Sequence, residues 1–247
     1  MTKDPNNLPF WEHLEELRWR LLKCISAIVL AAFGTYIYSD LLIDTLIKPT
    51  ENLSIGLNLQ VLKVTSMFTI KLGLAIMGGI MFSIPVLIYQ TWRFLAPAIE
   101  NFGAITFIGV ILFSSFFFFT GIFFAYKIII PYSLTFFTSI SFTDIPVNYN
   151  FTLDGYLNYT LWLLFACGLI FQLPVITLFF AKTGLLTPAF LRHYRKYMFI
   201  FFLILAGILT PPDPVSQVLI VIPLVLLYEL SIFIAWTVNR KQINESP

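Results

Sequence analysis

Glu16 and Arg20, in the segment Phe10-Trp-Glu-His-Leu-Glu-Glu-Leu-Arg-Trp-Arg-Leu21, are residues whose types and spacing could do chemistry. Four apart on a helix, they meet in the favourable acid-before-base order, and Glu12 shares their face. A carboxylate accepts a two-pronged fork from a guanidinium, so Glu15 or Glu16 could receive a basic ligand. The competing reading is an interfacial helix start, with Leu14, Leu17 and Leu21 on its apolar side and Phe10, Trp11 and Trp19 at the membrane edge. Periodicity alone favours that second reading.

Other polar residues stand out because so few surround them. The stretch Gln90-Thr-Trp-Arg-Phe-Leu-Ala-Pro-Ala-Ile-Glu-Asn-Phe102 has one acid, Glu100; Phe94 and Leu95 are either membrane anchors or an apolar patch beside it. Gln172 and Glu229 fall within long apolar blocks, where a polar group is costly and defaults to a functional hypothesis. Gln172 could also join two helices, and Glu229 could reach the interface. The turn Thr210-Pro-Pro-Asp-Pro-Val-Ser-Gln217 is either a rigid turn with Asp213 or Ser216 capping the next helix, or a docking site offering Thr210 and Gln217. His13 and His193 stand singly, and Cys24 and Cys167 lie in apolar blocks. No hydrolase, kinase, cofactor or metal constellation is visible, which argues against an enzyme.

The elements that must position these residues are membrane spans. The chain is 58% hydrophobic and 11% charged, with mean hydropathy +0.86. A soluble domain carries about a quarter charged residues. The net charge of +2 gives no reason to expect a nucleic-acid partner. The pattern predicts one domain over 1–247, an all-α integral membrane protein with six transmembrane helices at about 21–38, 67–89, 104–126, 156–181, 197–210 and 217–236. The fifth block reaches only about 21 Å against a hydrocarbon core of about 30 Å, so the last two helices are expected to be a short hairpin.

Eleven of the fifteen Lys and Arg residues fall at one end of these spans, including Arg18, Arg20, Lys23, Arg93 and Arg195. The positive-inside rule therefore predicts an N-in, C-in topology. Pro85, Pro174 and Pro223 inside spans predict kinks and a concave bundle. The two long loops on the other side, 39–66 and 127–155, are expected to form small caps.

Several of these motifs, in order and at the right spans, resemble the TatC family, the multi-spanning receptor of the twin-arginine protein translocase. They are His13-Leu-Glu-Glu-Leu-Arg-Trp-Arg-Leu21, Pro85-Val-Leu-Ile-Tyr-Gln-Thr-Trp-Arg-Phe-Leu-Ala-Pro97, Phe171-Gln-Leu-Pro174 and Thr210-Pro-Pro-Asp-Pro-Val-Ser-Gln217, followed by Ile222-Pro and Tyr228-Glu-Leu. The resemblance implies a receptor that binds the Arg-Arg signal peptides of folded cargo. It also implies assembly of TatA/TatB-type single-span membrane proteins, with other TatC copies, for export driven by the proton-motive force.

By the same resemblance Glu16, with Arg18 and Phe94, contacts the twin arginines. Thr210 and Gln217 receive a partner helix, and Asp213, with Pro211 and Pro212, forms the outer turn. Two positions depart from the family pattern. Gly103 stands where a second signal-binding acid is usual, so Glu100, about one helical turn away, is the candidate substitute. Gln172 stands where bacterial members carry an acid in the fourth span, a feature similar to photosynthetic-lineage members.

Prominent Phe (27), Ile, Asn and Lys with modest Gly (12) suit an AT-rich coding genome. Met1 to Arg20 lacks the features of a secretory signal or transit peptide. Together these lead to the expectation of a plastid-encoded thylakoid protein with its termini in the stroma, a bacterial inner membrane being the alternative. The rival function is a polytopic small-solute transporter or channel, which needs a polar path that Gln172 and Glu229 alone do not make.

Overall fold

In a bilayer every backbone polar group must find its partner inside the protein, and long apolar runs meet that demand as helices. The computed structural model describes residues 10–51, 58–96, 104–139, 150–209 and 214–245. Helix α1, Phe10–Ile37, joins the amphipathic start to the first apolar block without a break. After a turn at Tyr38 come α2, Ser39–Glu51, strand β1, Asn58–Gln60, and the 30-residue α3, Ser66–Leu95. Helix α4, Ala104–Phe124, passes through a π-helical turn, Ala125–Ile129, into α5, Ile130–Ser139. Strand β2, Asn150–Thr152, leads into α6, Leu153–Ile170, and α7, Leu173–Lys182. A short α8, Pro188–His193, precedes α9, Arg195–Leu209, and α10, Pro214–Glu245.

Among the described residues, five segments are long and apolar enough to cross a membrane: Trp11–Ile37, Ser66–Leu95, Ala104–Thr138, Leu153–Lys182 and Gln217–Arg240. The remaining expected span is α9, whose 15 residues extend about 22 Å and stop short of a full crossing. The expectation of a short sixth helix is corrected. Helix α10 runs for 32 residues because its helical backbone continues through the polar Asn239-Arg-Lys-Gln-Ile243 segment, which hydropathy excludes from a span. The third block is likewise longer than expected, since the helix continues past Tyr126 through the π-helical turn.

The three prolines behave differently. At Pro174 the fourth block divides: Phe171 and Gln172 lie between α6 and α7, and the proline sits in the first turn of α7, where its missing N–H costs nothing. Pro85 and Pro223 lie inside α3 and α10, which continue through them.

The most extensive helix contact joins α1 to α3, followed by α7 to α10 and α4 to α6. Glycine makes the first possible. A Cβ on Gly79 would come within 2.7–2.8 Å of the Ala32 backbone, and one on Gly78 within 2.6 Å of the Thr35 side chain. Small residues let transmembrane helices approach where the hydrophobic effect gives no drive to associate. Gly121 repeats the device between α4 and α6, where a Cβ would lie 2.6 Å from the Cys167 carbonyl oxygen. The core is built around Phe118, Ile129, Leu157, Leu163, Phe202 and Leu224. Two buried hydroxyls are satisfied within their own helices: Ser83 donates to the Ile80 carbonyl and Ser231 to that of Leu227. Cys24 and Cys167 are free thiols.

The long loops form a small cap. Strands β1 and β2 pair in parallel, Asn58 opposite Asn150 and Gln60 opposite Thr152. Tyr126 and Tyr156 donate their hydroxyls to the Thr45 and Leu46 carbonyls at 2.6 and 2.7 Å, pinning α2 to the bundle. Asp40 on α2 and Lys71 on α3 meet at 2.7 Å at this end. Below the cap lies an apolar hollow of about 220 Å³ between α2, α3, α4 and α6.

Candidate functional site

Antiparallel packing of α1 on α3 brings the start of one helix beside the end of the other. Arg20 donates from Nε to Glu16 Oε1 at 2.9 Å, and its Nη2 also meets that oxygen. The guanidinium's third contact crosses to α3, with Nη1 donating to Gln90 Oε1 at 3.3 Å. The Arg20 side chain is 13% exposed and that of Glu16 28%, so the carboxylate remains open on one side. On that side His13 Nδ1 lies 3.7 Å from Glu16 Oε2. The His13 ring stacks on Phe94 of α3, with centroids 4.3 Å apart and planes 16° apart.

Glu16 and Phe94, 78 positions apart in sequence, are thus joined through one imidazole. Beside them a groove of about 430 Å³ is lined by Glu16, Trp19, Arg20, Lys23, Tyr89, Gln90 and Arg93. Arg93 is held at its edge, with Nη1 2.5 Å from the Tyr89 hydroxyl and the guanidinium over the Tyr89 ring. Arg18 is exposed and turned to Trp19, 5.4 Å from the ring centre, so it does not line the groove. Glu100 lies outside the described residues.

The intramembrane polar residues are engaged. Gln172, at the interruption between α6 and α7, donates Nε2 to the Ser114 carbonyl of α4 at 3.0 Å. An interruption leaves backbone groups without helical partners, and the amide couples this one to a neighbouring helix. Glu229 on α10 pairs with Arg195 at the start of α9, Oε2 to Nη2 at 2.6 Å, with both side chains about half exposed. Gln217 donates Nε2 to the Leu203 carbonyl at 2.8 Å and closes the hairpin of α9 and α10. Its neighbours Thr210, Pro211, Pro212 and Asp213 lie outside the described residues. Among the described residues no group of three His, Cys, Asp or Glu could hold a metal.

The residues that sequence reasoning passed over are His13, Tyr89 and Gln90. His13 was set aside for want of a metal-ligand companion, although its three-residue offset from Glu16 already put the two on one face. For Tyr89 and Gln90 the sequence carries no signal, because their roles depend on which helix α1 meets.

The profile described as "Sec-independent protein translocase protein (TatC)" matches residues 12–223, from the acidic helix start to the last span. The chain belongs to the TatC family. It is 33% identical over 235 residues to the Sec-independent protein translocase protein TatC of Aquifex aeolicus, covering 95% of this chain and 98% of that protein. A TatCy protein of Bacillus subtilis is 32% identical over 236 residues, covering 96% and 92%. Among solved structures, the crystal structure of a twin-arginine translocase receptor, TatC, superposes with TM-score 0.81 at 32% identity, covering 92% of this chain and 99% of that one. This TatC-family chain is therefore a multi-pass membrane subunit of a protein translocase, and the family is not one of enzymes.

Proposed function

We propose that the chain is the signal-peptide receptor of its translocase, with Glu16 as the carboxylate that takes an arginine of a twin-arginine signal peptide. The observation that carries this reading is the convergence of Glu16 and Phe94 through His13 at one pole of the bundle. A part-exposed carboxylate already gripped by one guanidinium has the geometry a second would use, and the Phe94 ring beside it supplies an apolar wall for the residues that follow. Arg18 flanks the site, and Glu100 is the second acid in this reading.

The partner end is the α9–α10 hairpin, with Thr210 and Gln217 receiving a single-span partner of the TatA/TatB type and other copies of the chain completing the complex. The family membership supports the assignment. Basic residues at the pole of Glu16 support an N-in, C-in topology. Composition supports a plastid thylakoid membrane with the termini in the stroma, against a bacterial inner membrane.

The test is photocrosslinking from positions 16, 100 and 103 to a signal peptide carrying Arg-Arg. The crosslink from 103 is expected to vanish in Glu16→Ala/Glu100→Ala, and crosslinks from all three positions are expected to vanish with a Lys-Lys peptide. Intact binding in the double variant would remove the carboxylate clamp.

A further inference from the structure

The groove beside Glu16 has a charge balance opposite to that of a site for cations alone. Three of its lining residues, Arg20, Lys23 and Arg93, are cationic, and only Glu16 is anionic. Arg20 and Glu16 neutralise each other. Arg93 meets the neutral Tyr89, and Lys23 is exposed, with no ion pair among the described residues. Among the described residues, two cations without an acidic partner therefore face one concave space.

An amphiphile suits the rest of the geometry. The exposed Trp19 and the part-exposed Tyr89 flank the groove, and such rings settle at headgroup level. Trp19, Lys23, Ser26, Leu30 and Phe33 follow one another at helical spacing down α1. The last two are 74% and 68% exposed, an apolar track leading away from the cation. We infer that Lys23 and Arg93 hold the phosphate or sulfonate oxyanion of an anionic lipid in this groove, its acyl chain lying along Leu30 and Phe33. Oxyanion recognition rests on these two cations and not on the receptor reading of Glu16.

The experiment is native mass spectrometry of the full chain, delipidated in detergent, against phosphatidylglycerol and phosphatidylcholine with identical acyl chains. Phosphatidylglycerol is expected to be retained roughly tenfold better, a preference that charge attraction by two basic residues can supply. Lys23→Gln/Arg93→Gln should abolish the preference. Lys23→Arg/Arg93→Lys should keep it, as should Arg192→Gln/Arg240→Gln, which removes two exposed cations elsewhere. No preference in the parent chain, or equal loss in the Arg192/Arg240 pair, overturns the site. Inorganic phosphate at millimolar concentration is expected to leave the lipid bound, and displacement by it would overturn the lipid assignment. Peptide crosslinking at Glu16 is a separate readout, so the two proposals fail independently.

Discussion

His13 lies between Glu16 and Phe94, its Nδ1 3.7 Å from the carboxylate and its ring stacked at 4.3 Å on the phenylalanine. One side chain thus couples the first helix to the end of the third at the edge of the bundle. It lies against the part-exposed side of the Glu16 carboxylate while Arg20 holds the other.

His13→Ala and Phe94→Ala should each lower crosslinking of an Arg-Arg peptide to position 16 by about 3- to 10-fold, since a stacked aromatic pair contributes about 0.5–1.5 kcal/mol. The double variant should bind no worse than the weaker single one, because each removes the same contact. Additive losses would show that the two rings act separately.

Arg20 occupies the acceptor that an incoming arginine needs. Ion pairs four apart on a helix contribute about 0.3–0.5 kcal/mol, so Arg20→Gln should tighten binding of an Arg-Arg peptide by about 2-fold at low salt. Equilibrium competition with a labelled peptide checks this. Weakened binding would assign Arg20 to positioning Glu16.

Gly79→Ala should destabilise the bundle by about 1–3 kcal/mol, because its Cβ would meet the Ala32 backbone at 2.7–2.8 Å and force α1 away from α3. Thermal stability read by size-exclusion chromatography measures the effect. Gly34→Ala, where nothing lies within 4 Å of the added Cβ, serves as the tolerated control. The same displacement should also lower peptide binding, since it pulls Arg20 from Gln90.

Gln172→Leu should cost only about 0.6 kcal/mol, the usual scale of one interhelical hydrogen bond in a membrane. Gln172→Glu should cost about 2–3 kcal/mol, since a carboxylate has no N–H to donate and sets a second acceptor against the Ser114 carbonyl. Melting curves of the purified variants separate the two.

Gln217→Leu should loosen the α9–α10 hairpin by a similar fraction of a kcal/mol while weakening crosslinks from position 210 to a single-span partner. Unchanged crosslinking with lowered stability would confine Gln217 to the hairpin.

Much of this was legible before any coordinates. The apolar blocks, the short fifth block and the Glu16–Arg20 pair are local features, and helical spacing suffices to place them. The long α10 was not legible, because hydropathy detects a span and not the helix that continues beyond it. The unequal roles of the prolines were hidden for a related reason. Pro174 coincides with an interruption tied across to α4, whereas Pro85 and Pro223 lie in uninterrupted helices.

By itself, the sequence determined that the chain lives in a membrane, where its helices run, and that an acid and a base share a face near its start. Composition and 3.6-residue periodicity are properties of contiguous residues, and the bilayer leaves helices few alternatives. Only tertiary structure decided that His13 lies between Glu16 and Phe94, that Gln90 receives Arg20, and that Lys23 and Arg93 share one groove. Those meetings depend on α1 lying antiparallel on α3, a contact that Gly78 and Gly79 permit by having no side chain to hold the helices apart.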